Sequence, residues 1–231
     1  MKKAILVGIA AVAIAPAAAL AQWSDDFESY DNGQQLFNVG GWTGWDDSPS
    51  ATGIATIARA RSGFQSILVG PDGDAVHPFS GYTAGQWTLS AWMYLGSDQH
   101  VSDTFFIVNN IYNHGGPYQW AVELQFDIST GNVLDDFRTE TPVAIAYDRW
   151  AEIRIDIDLD ANTQSTSYDG SLLSTGVWNI RGGDIAIANI DLFTNGSSVF
   201  YDDISIVPAP SALALLGLGG IGFAGRRRRR A

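Results

Sequence analysis

The chain of 231 residues contains no cysteine. Disulfide bonds and cysteine-ligated zinc sites, which stabilise many exported domains, are therefore excluded. Histidine is scarce, and the spacing of His77, His100 and His114 matches no common metal-binding motif. A Gly-x-Ser-x-Gly motif is absent as well. These absences argue against thiol chemistry, histidine-rich metal sites and the nucleophile elbow of serine hydrolases.

Basic residues are nearly absent from the middle of the chain. Between residues 22 and 207 there are six Arg and no Lys, whereas all 25 acidic residues lie there. The remaining cations are Lys2, Lys3 and the five consecutive arginines of residues 226–230. A surface this acidic repels phosphate backbones, so we expect no nucleic-acid partner and favour cations or neutral glycans.

Residues 1–21 have the pattern of a secretory signal peptide. Two lysines give a positive start, residues 4–15 form an uncharged apolar stretch, and Ala19-Leu20-Ala21 has the small-x-small pattern of a cleavage site. The alternative is an uncleaved membrane anchor, but the apolar stretch is short for a span that needs about 20 residues. We therefore expect export followed by cleavage.

Residues 208–231 form a second segment with the composition of a sorting or membrane signal. Pro208, Ala209 and Pro210 precede an apolar stretch, residues 212–225, and the arginine run follows it. As a helix this stretch would reach about 21 Å at about 1.5 Å per residue, short of a hydrocarbon core of roughly 30 Å. The prediction is a short apolar helix that inserts into the membrane transiently, with the arginines held on the cytoplasmic side.

This layout resembles the PEP-CTERM sorting signal of Gram-negative bacteria, and the resemblance covers residues 207–231. The Pro-Glu-Pro triplet of that signal stands here as Pro208-Ala209-Pro210, without the glutamate. The resemblance implies that an exosortase-type processing enzyme is a partner. It also implies that the mature protein lies at the cell surface or in the exopolysaccharide matrix. The alternative is an ordinary tail anchor.

The residues between these two segments are patterned as β-strands throughout. From residue 150 to residue 160 apolar and charged side chains alternate, and residues 87–95, 105–112 and 196–207 have strand composition. Turn signals rich in Gly, Asn and Asp separate these runs. No amphipathic helix longer than two turns, internal repeat or linker is evident. Residues 22–207 are therefore predicted to form one all-β domain, a two-sheet antiparallel sandwich or a barrel.

Five segments of this domain resemble strands of concanavalin A-like and laminin G-like jelly rolls. They are residues 61–67, residues 86–94, residues 150–156, the Tyr-Asp-Gly hairpin at 168–170 and the closing strand at 201–206. The resemblance spans roughly residues 23–207 and implies a jelly roll whose first and last strands pair. Many glycan hydrolases share this fold, and its lectin-like relatives often bind calcium.

The paired first and last strands of such a jelly roll would bring five carboxylates together. Asp25, Asp26 and Glu28 open the domain, and Asp202 and Asp203 close it. Because Ca²⁺ takes six to eight hard oxygen ligands, we expect calcium as a cofactor that ties the two ends.

A rival calcium loop spans residues 158–169. Its acidic residues are spaced as in an EF-hand, but Thr163 stands where glycine is needed and Asp169 where glutamate is typical. A hairpin turn between two strands is the plainer interpretation.

Glycan binding is predicted from aromatic and polar side chains on outward strand faces. Trp92 and Tyr94 project together from one strand, and Glu123 and Gln125 lie on the polar face of a strand in the same region. A sugar ring packs on an aromatic ring, while carboxylates and amides take its hydroxyl groups. The alternative is that the tryptophan belongs to the core, since sandwiches bury Trp routinely.

No catalytic residue is predicted. Laminarinase-like enzymes of the resembled fold carry Glu-x-Asp-x-x-Glu along one strand, and none of the four glutamates here has an aspartate two residues later. The favoured function is an exported, non-enzymatic module that binds glycan or exopolysaccharide. Two alternatives stay open: a polysaccharide-degrading hydrolase or lyase, and a structural or adhesion matrix protein without a specific ligand.

Overall fold

The computed structural model describes residues 22–138 and 141–209. The predicted signal peptide, Pro210 and the apolar and arginine-rich residues after it lie outside the described residues. Within the described ranges, helix is limited to two single 3-10 turns, Trp45–Asp47 and Pro49–Ala51. The rest of the regular structure is fifteen strands: β1 (Trp23–Asp25), β2 (Thr43–Gly44), β3 (Ile54–Thr56), β4 (Ser66–Val69), β5 (Asp74–Pro78), β6 (Gln86–Leu95), β7 (Thr104–Tyr112), β8 (Tyr118–Asp127), β9 (Asn132–Asp135), β10 (Val143–Ala144), β11 (Trp150–Asp158), β12 (Thr163–Tyr168), β13 (Ser171–Val177), β14 (Asn189–Thr194) and β15 (Val199–Pro208).

Antiparallel pairing of these strands builds two sheets. One sheet has eight strands in the order β13-β12-β11-β6-β15-β4-β3, with β1 also paired to β15. The other has seven strands in the order β10-β9-β8-β7-β14-β5-β2. Apolar side chains from the inner faces of both sheets form one core between them. The predicted all-β, two-sheet antiparallel sandwich is confirmed.

The long strands show why the local pattern predicts the fold well. In β11 the side chains from Ala151 to Ile157 alternate between the core and the outer face, as the sequence alternation predicts. The strand ends at Asp158, which pairs with Thr163 across the turn. The carboxylate of Asp158 accepts a hydrogen bond from the N–H of Ala161 (2.8 Å). The segment predicted as a hairpin rather than an EF-hand loop is therefore a hairpin.

The two ends of the domain meet, as expected. Trp23 pairs with Ile206, and Asp25 pairs with Ile204. None of the helical turns in residues 22–138 and 141–209 has the length or the apolar character needed to cross a bilayer.

A β-bulge in β8 is the main departure from the sequence pattern. Simple alternation predicts that Trp120 shares the inner face with Val122 and Leu124. In the structure the pairing with β7 shifts register at Asn109, and both Ala121 and Val122 are buried in the core. The extra residue turns Trp120 to the outer face of the seven-stranded sheet, where a ligand can reach it.

Candidate functional site

A cleft of about 380 Å³ lies on the outer face of the seven-stranded sheet. Its floor is formed by β7, β8 and β14, whose alternate side chains Phe106, Leu124 and Leu192 point into the core. The side chains between them therefore point outward into the cleft. The cleft is lined by Trp45, Asp74, Ile107, Trp120, Glu123, Phe137, Arg181, Asp191 and Phe193.

Acidic groups lie on both sides of an aliphatic side chain on this floor. In the strand register Asp191 of β14 lies opposite Ile107 of β7, which lies opposite Glu123 of β8. With about 4.8 Å between neighbouring strands, the Cα atoms of Asp191 and Glu123 are about 10 Å apart. In the adjacent row Phe193 lies opposite Asp74 of β5. Three carboxyl groups from three strands therefore face one cleft.

A cluster of aromatic rings forms one wall. Trp45 stacks on Trp120 with their ring centroids 6.2 Å apart and an angle of 17° between the ring planes. Tyr118 and Tyr112 pack against Trp45 at centroid distances of 4.7 Å and 5.0 Å. Flat aromatic surfaces of this kind pack against the apolar face of a sugar ring.

The residue after Trp45 holds this wall in place. Asp46 has a positive φ of 51°, which non-glycine residues adopt at an energetic cost. Its carboxylate accepts hydrogen bonds from the N–H of Gly115 (2.9 Å) and from the hydroxyl of Tyr118. The bond from Tyr118, and then the bond from Gly115, lowers the pKa of Asp46. Both bonds fix the strained turn that presents Trp45.

The opposite wall supplies the positive charge of the cleft. The guanidinium carbon of Arg181 lies 4.9 Å from the ring centroid of Phe137. The turn that carries Arg181 is anchored by Asn110, whose side-chain amide donates to the carbonyl groups of Gly182 (2.9 Å) and Asp184 (2.7 Å). Asn110 is itself buried, so the turn is tied to the sheet.

Asp74 and Asp191 form a buried carboxyl pair. Asp191 is only 2% exposed, and burial, then the charge of Asp74, raises its pKa well above the usual range. Burial also raises the pKa of Asp74, and the two side chains are hydrogen-bonded to each other. Carboxyl groups this close share a proton rather than both ionise. Within the described part of the chain, no N–H or O–H group outside the pair donates to Oδ1 of either residue.

Glu123 is the third acidic group of the cleft. Burial raises its pKa, and the nearby charge of Asp136 raises it further, while Arg181 opposes the shift. A half-buried carboxyl group with a raised pKa can accept hydrogen bonds from ligand hydroxyls or exchange a proton with them.

The structure separates the four residues predicted to bind glycan. Trp92 and Tyr94 lie on the outer face of β6 in the eight-stranded sheet, whereas Glu123 and Gln125 lie on the outer face of β8 in the seven-stranded sheet. These outer faces are on opposite sides of the sandwich. The four side chains therefore do not form the single groove that the sequence suggested.

Both predicted aromatic rings are also covered by cations of the protein. The guanidinium carbon of Arg61 lies 3.9 Å from the ring centroid of Trp92, and that of Arg59 lies 4.0 Å from the ring centroid of Tyr94. Gln125 donates a hydrogen bond to Asp103 (2.7 Å). Of the four predicted residues, Glu123 lines the cleft.

The carboxylates predicted to bind calcium at the opening strand are engaged by donors of the protein. Asp25 accepts three hydrogen bonds, two of them from aromatic side chains. Its donors are the N–H of Phe27 (2.9 Å), the hydroxyl of Tyr30 (2.6 Å) and the indole N–H of Trp42 (2.8 Å). The carboxylate of Asp26 accepts a hydrogen bond from the N–H of Glu28 (3.2 Å). The carboxylate of Glu28 accepts hydrogen bonds from the N–H groups of Phe64 (2.8 Å) and Gln65 (2.7 Å).

The two carboxylates at the closing strand are engaged in the same way. Asp202 accepts hydrogen bonds from the N–H groups of Arg61 (2.7 Å) and Ser62 (3.2 Å), and burial raises its pKa to about 6. Asp203 accepts from the Arg61 guanidinium (2.7 Å) and the Ser62 hydroxyl (2.9 Å). Among residues 22–138 and 141–209, no three acidic or histidine side chains converge as a metal site. This arrangement does not fit a site with six oxygen ligands, and calcium binding stays a prediction that would require Arg61 to move.

Sequence reasoning missed most residues of the cleft. In β14, Asp191 and Phe193 alternate with the apolar Ile190 and Leu192, and this charged and aromatic outer face is a signal that could have been used. Asp74 follows a Pro-Asp-Gly turn and looks like an ordinary turn residue.

Comparison with known sequences identifies the C-terminal segment. Residues 207–229 match the PEP-CTERM protein-sorting motif, which confirms that part of the sequence prediction. The motif implies an exported bacterial cell-surface protein that an exosortase processes. No curated protein matches the chain.

Comparison with solved structures shows the fold alone. A Trypanosoma rangeli sialidase in complex with 2,3-difluoro-KDN aligns with a TM-score of 0.51 at 11% identity, over 71% of this chain and 28% of the sialidase. Another structure described as a sialidase aligns with a TM-score of 0.56 at 8% identity, over 92% of this chain and 21% of that protein. The chain thus spans less than a third of these proteins and resembles a β-sandwich portion of each.

Proposed function

We propose that this protein is an exported, non-enzymatic module that binds glycan in the cleft of the seven-stranded sheet. The observation that carries the proposal is the combination of a stacked Trp45–Trp120 wall with carboxyl groups on the floor beside it. Indole surfaces pack on the C–H face of a sugar, and carboxylates accept hydrogen bonds from its hydroxyls. The cleft volume of about 380 Å³ lies within the range of about 300–1,000 Å³ typical of small-ligand sites.

The sandwich is proposed to be a jelly roll of the concanavalin A-like type. The pairing of β1 with β15 and the two large antiparallel sheets support this assignment. The ligand is proposed to be the exopolysaccharide matrix of a Gram-negative bacterium, which is where a protein with a PEP-CTERM motif would meet glycan after export.

The proposal is tested by two matched tryptophan variants. Trp120→Ala removes half of the stacked wall, so we expect glycan affinity to fall at least about tenfold, or about 1.4 kcal/mol. Trp92→Ala removes an indole from the opposite face, where Arg61 covers it, and should leave affinity within about twofold. Affinity is measured by titration calorimetry against soluble polysaccharides, and melting curves confirm that both variants are folded. Equal losses in the two variants, or a loss only with Trp92→Ala, would contradict the proposal.

Glycan hydrolysis is a second candidate that one observation favours. Glu123 and Asp191 face the same cleft from strands on either side of β7, and burial is the main cause that raises the pKa of each. Inverting glycosidases use two carboxyl groups about 6.5–9.5 Å apart, one as acid and one as base. If this activity exists, reducing ends should be released from laminarin, agar or alginate, and Glu123→Gln should abolish the release. Binding of glycan without any release would leave the non-enzymatic function.

Self-association without glycan binding would instead point to a structural matrix protein.

A further inference from the structure

The cleft carries an excess of negative charge. Asp74, Asp191 and Glu123 line it, Asp136 acts on Glu123 from the turn after β9, and Asp46 acts on Asp74 from the rim. Arg181 is the cation in the lining. An anionic sugar such as a uronic acid would meet repulsion here, whereas a cationic group would be attracted.

The floor also holds a carboxyl pair that shares a proton. Asp191 is only 2% exposed, and the described residues give Oδ1 of Asp191 and Oδ1 of Asp74 no donor besides the proton that the two side chains share. Because Asp74 is only partly buried, a ligand in the cleft meets the negative charge of this pair on the Asp74 side. Neutral hydroxyls can donate one bond each, while an ammonium group donates up to three and also carries charge.

We propose that the cleft selects glycans that carry free, protonated amino groups, such as glucosamine units. This inference rests on the proposed function. The ammonium group binds against the carboxyl pair of Asp74 and Asp191, and the pyranose ring packs against Trp120. Hydrogen bonds between an ammonium and a carboxylate are roughly twice as strong as neutral ones. N-acetylation removes the charge and two of the three donors, so the acetylated sugar lacks these bonds.

Binding of the ammonium competes with the proton shared by the carboxyl pair. The pair therefore gives up a proton when the amino sugar binds, because a positive charge beside the pair lowers its pKa. Asp46 acts on Asp74 and Glu123 of β8 acts on Asp191, while Asp136 and Arg181 act on Glu123. The titratable hydroxyls of Tyr112 and Tyr201 also interact with the charge of Asp191. Calorimetry in two buffers of different ionisation enthalpy measures this proton release.

The test compares tetramers of equal length: β-1,4-linked glucosamine, β-1,4-linked N-acetylglucosamine and galacturonic acid. Calorimetry uses the full-length protein near pH 6. We expect the glucosamine tetramer to bind at least tenfold more tightly than the acetylated tetramer, with proton release, and the galacturonic acid tetramer to bind least. Equal affinity for the first two would overturn the amino-sugar inference while leaving glycan binding intact. If each of the three tetramers bound wild type and Trp120→Ala with the same affinity, the result would count against the proposed function itself.

Variants separate recognition from the general attraction of a cation to an acidic protein. Asp191→Asn should remove both the preference for the amino sugar and the proton release. Glu123→Gln changes a more accessible side chain, so it should reduce the preference with less risk to folding. Asp98→Asn makes the same change of charge as Asp191→Asn on an exposed loop outside the cleft, and it should change affinity less than twofold. A loss with Asp98→Asn as large as that with Asp191→Asn would overturn the inference.

Discussion

Burial of single carboxyl groups governs how the protein responds to pH. Asp191 is enclosed beside Asp74, and its pKa is raised well above the usual range. Burial also raises the pKa of Asp202 to about 6. A carboxyl group whose pKa is higher in the folded state binds more protons folded than unfolded once the pH exceeds about 4. Its ionisation therefore opposes folding as the pH rises.

Asp191→Asn should stabilise the protein at alkaline pH. The amide keeps a donor for Asp74 and carries no charge to bury, so the gain is absent near pH 4 and grows as the pH rises above it. We expect the melting temperature to rise by about 2–4 °C at pH 8 for each 1 kcal/mol gained, compared with little change at pH 4. Melting curves of wild type and variant from pH 4 to pH 8 measure this. A variant less stable than wild type at pH 8 would contradict the assignment of Asp74 and Asp191 as a buried carboxyl pair.

Individual site residues were harder to predict than the fold because their roles depend on distant pairing. Asp74 and Asp191 meet only because β5 pairs with β14, and nothing near either residue in the sequence indicates this. Trp120 faces outward because of a bulge that one sequence cannot reveal. Glu123 was predicted as a ligand-binding residue from its outward position, but the partners assigned to it, Trp92 and Tyr94, lie on the other sheet.

At the scale of elements, a buried ion pair joins the edges of the two sheets. Arg138 follows β9, and its guanidinium contacts Asp135 (3.3 Å) and donates to the carbonyl groups of Ala121 in β8 and Trp178 after β13. Both members of the pair are almost fully buried. The hydroxyl of Ser174 in β13 also donates to Asp135 (2.6 Å). This cluster connects β8 and β9 of one sheet to β13 of the other.

Arg138→Ala should destabilise the protein by about 3–5 kcal/mol, because it leaves the buried Asp135 charge without its cation. The matched control is Arg149→Ala, which breaks the largely exposed pair with Asp169 and should change stability by less than about 1 kcal/mol. Urea unfolding of the two variants measures both effects. If the two variants lost equal stability, the cluster would not be a tie between the sheets.

The strands themselves could be predicted because their signal is local. Alternation in β11, and strand composition in β6, β7 and β15, reflects which side chain faces the core at each successive residue. Strand ends moved by one to three residues, since β11 ends at Asp158 rather than at residue 160 and β15 begins at Val199 rather than at residue 196. The assignment of each strand to a sheet depends on crossovers, which alternation does not encode.

At the scale of the whole molecule, an acidic domain stands before a basic end. Between residues 22 and 207 there are six Arg and 25 acidic residues, while Arg226 to Arg229 lie within the segment that matches the sorting motif and Arg230 follows it. Processing in this segment would remove the basic end and leave an acidic mature protein. That charge agrees with a cleft that attracts cationic rather than anionic sugars.

Processing by an exosortase predicts the mature C-terminus. Mass spectrometry of envelope protein should find peptides from residues 22–207 and none that contains residues 226–230. The same digestion of the unprocessed chain, produced in a strain without the processing enzyme, controls for detection of the basic peptide. Recovery of that peptide from mature protein would favour a tail anchor instead.

The central claim is that glycan binds in the cleft beside Trp45 and Trp120. The most direct measurement is a titration of the indole N–H signals of the eight tryptophans by NMR, with oligosaccharides from the exopolysaccharide of the producing bacterium. Trp→Phe variants assign the signals. Saturable shifts are expected for Trp45 and Trp120 and none for Trp92 and Trp150 on the other sheet. Shifts confined to Trp92 and Trp150, or no saturable shift at any tryptophan, would contradict the claim.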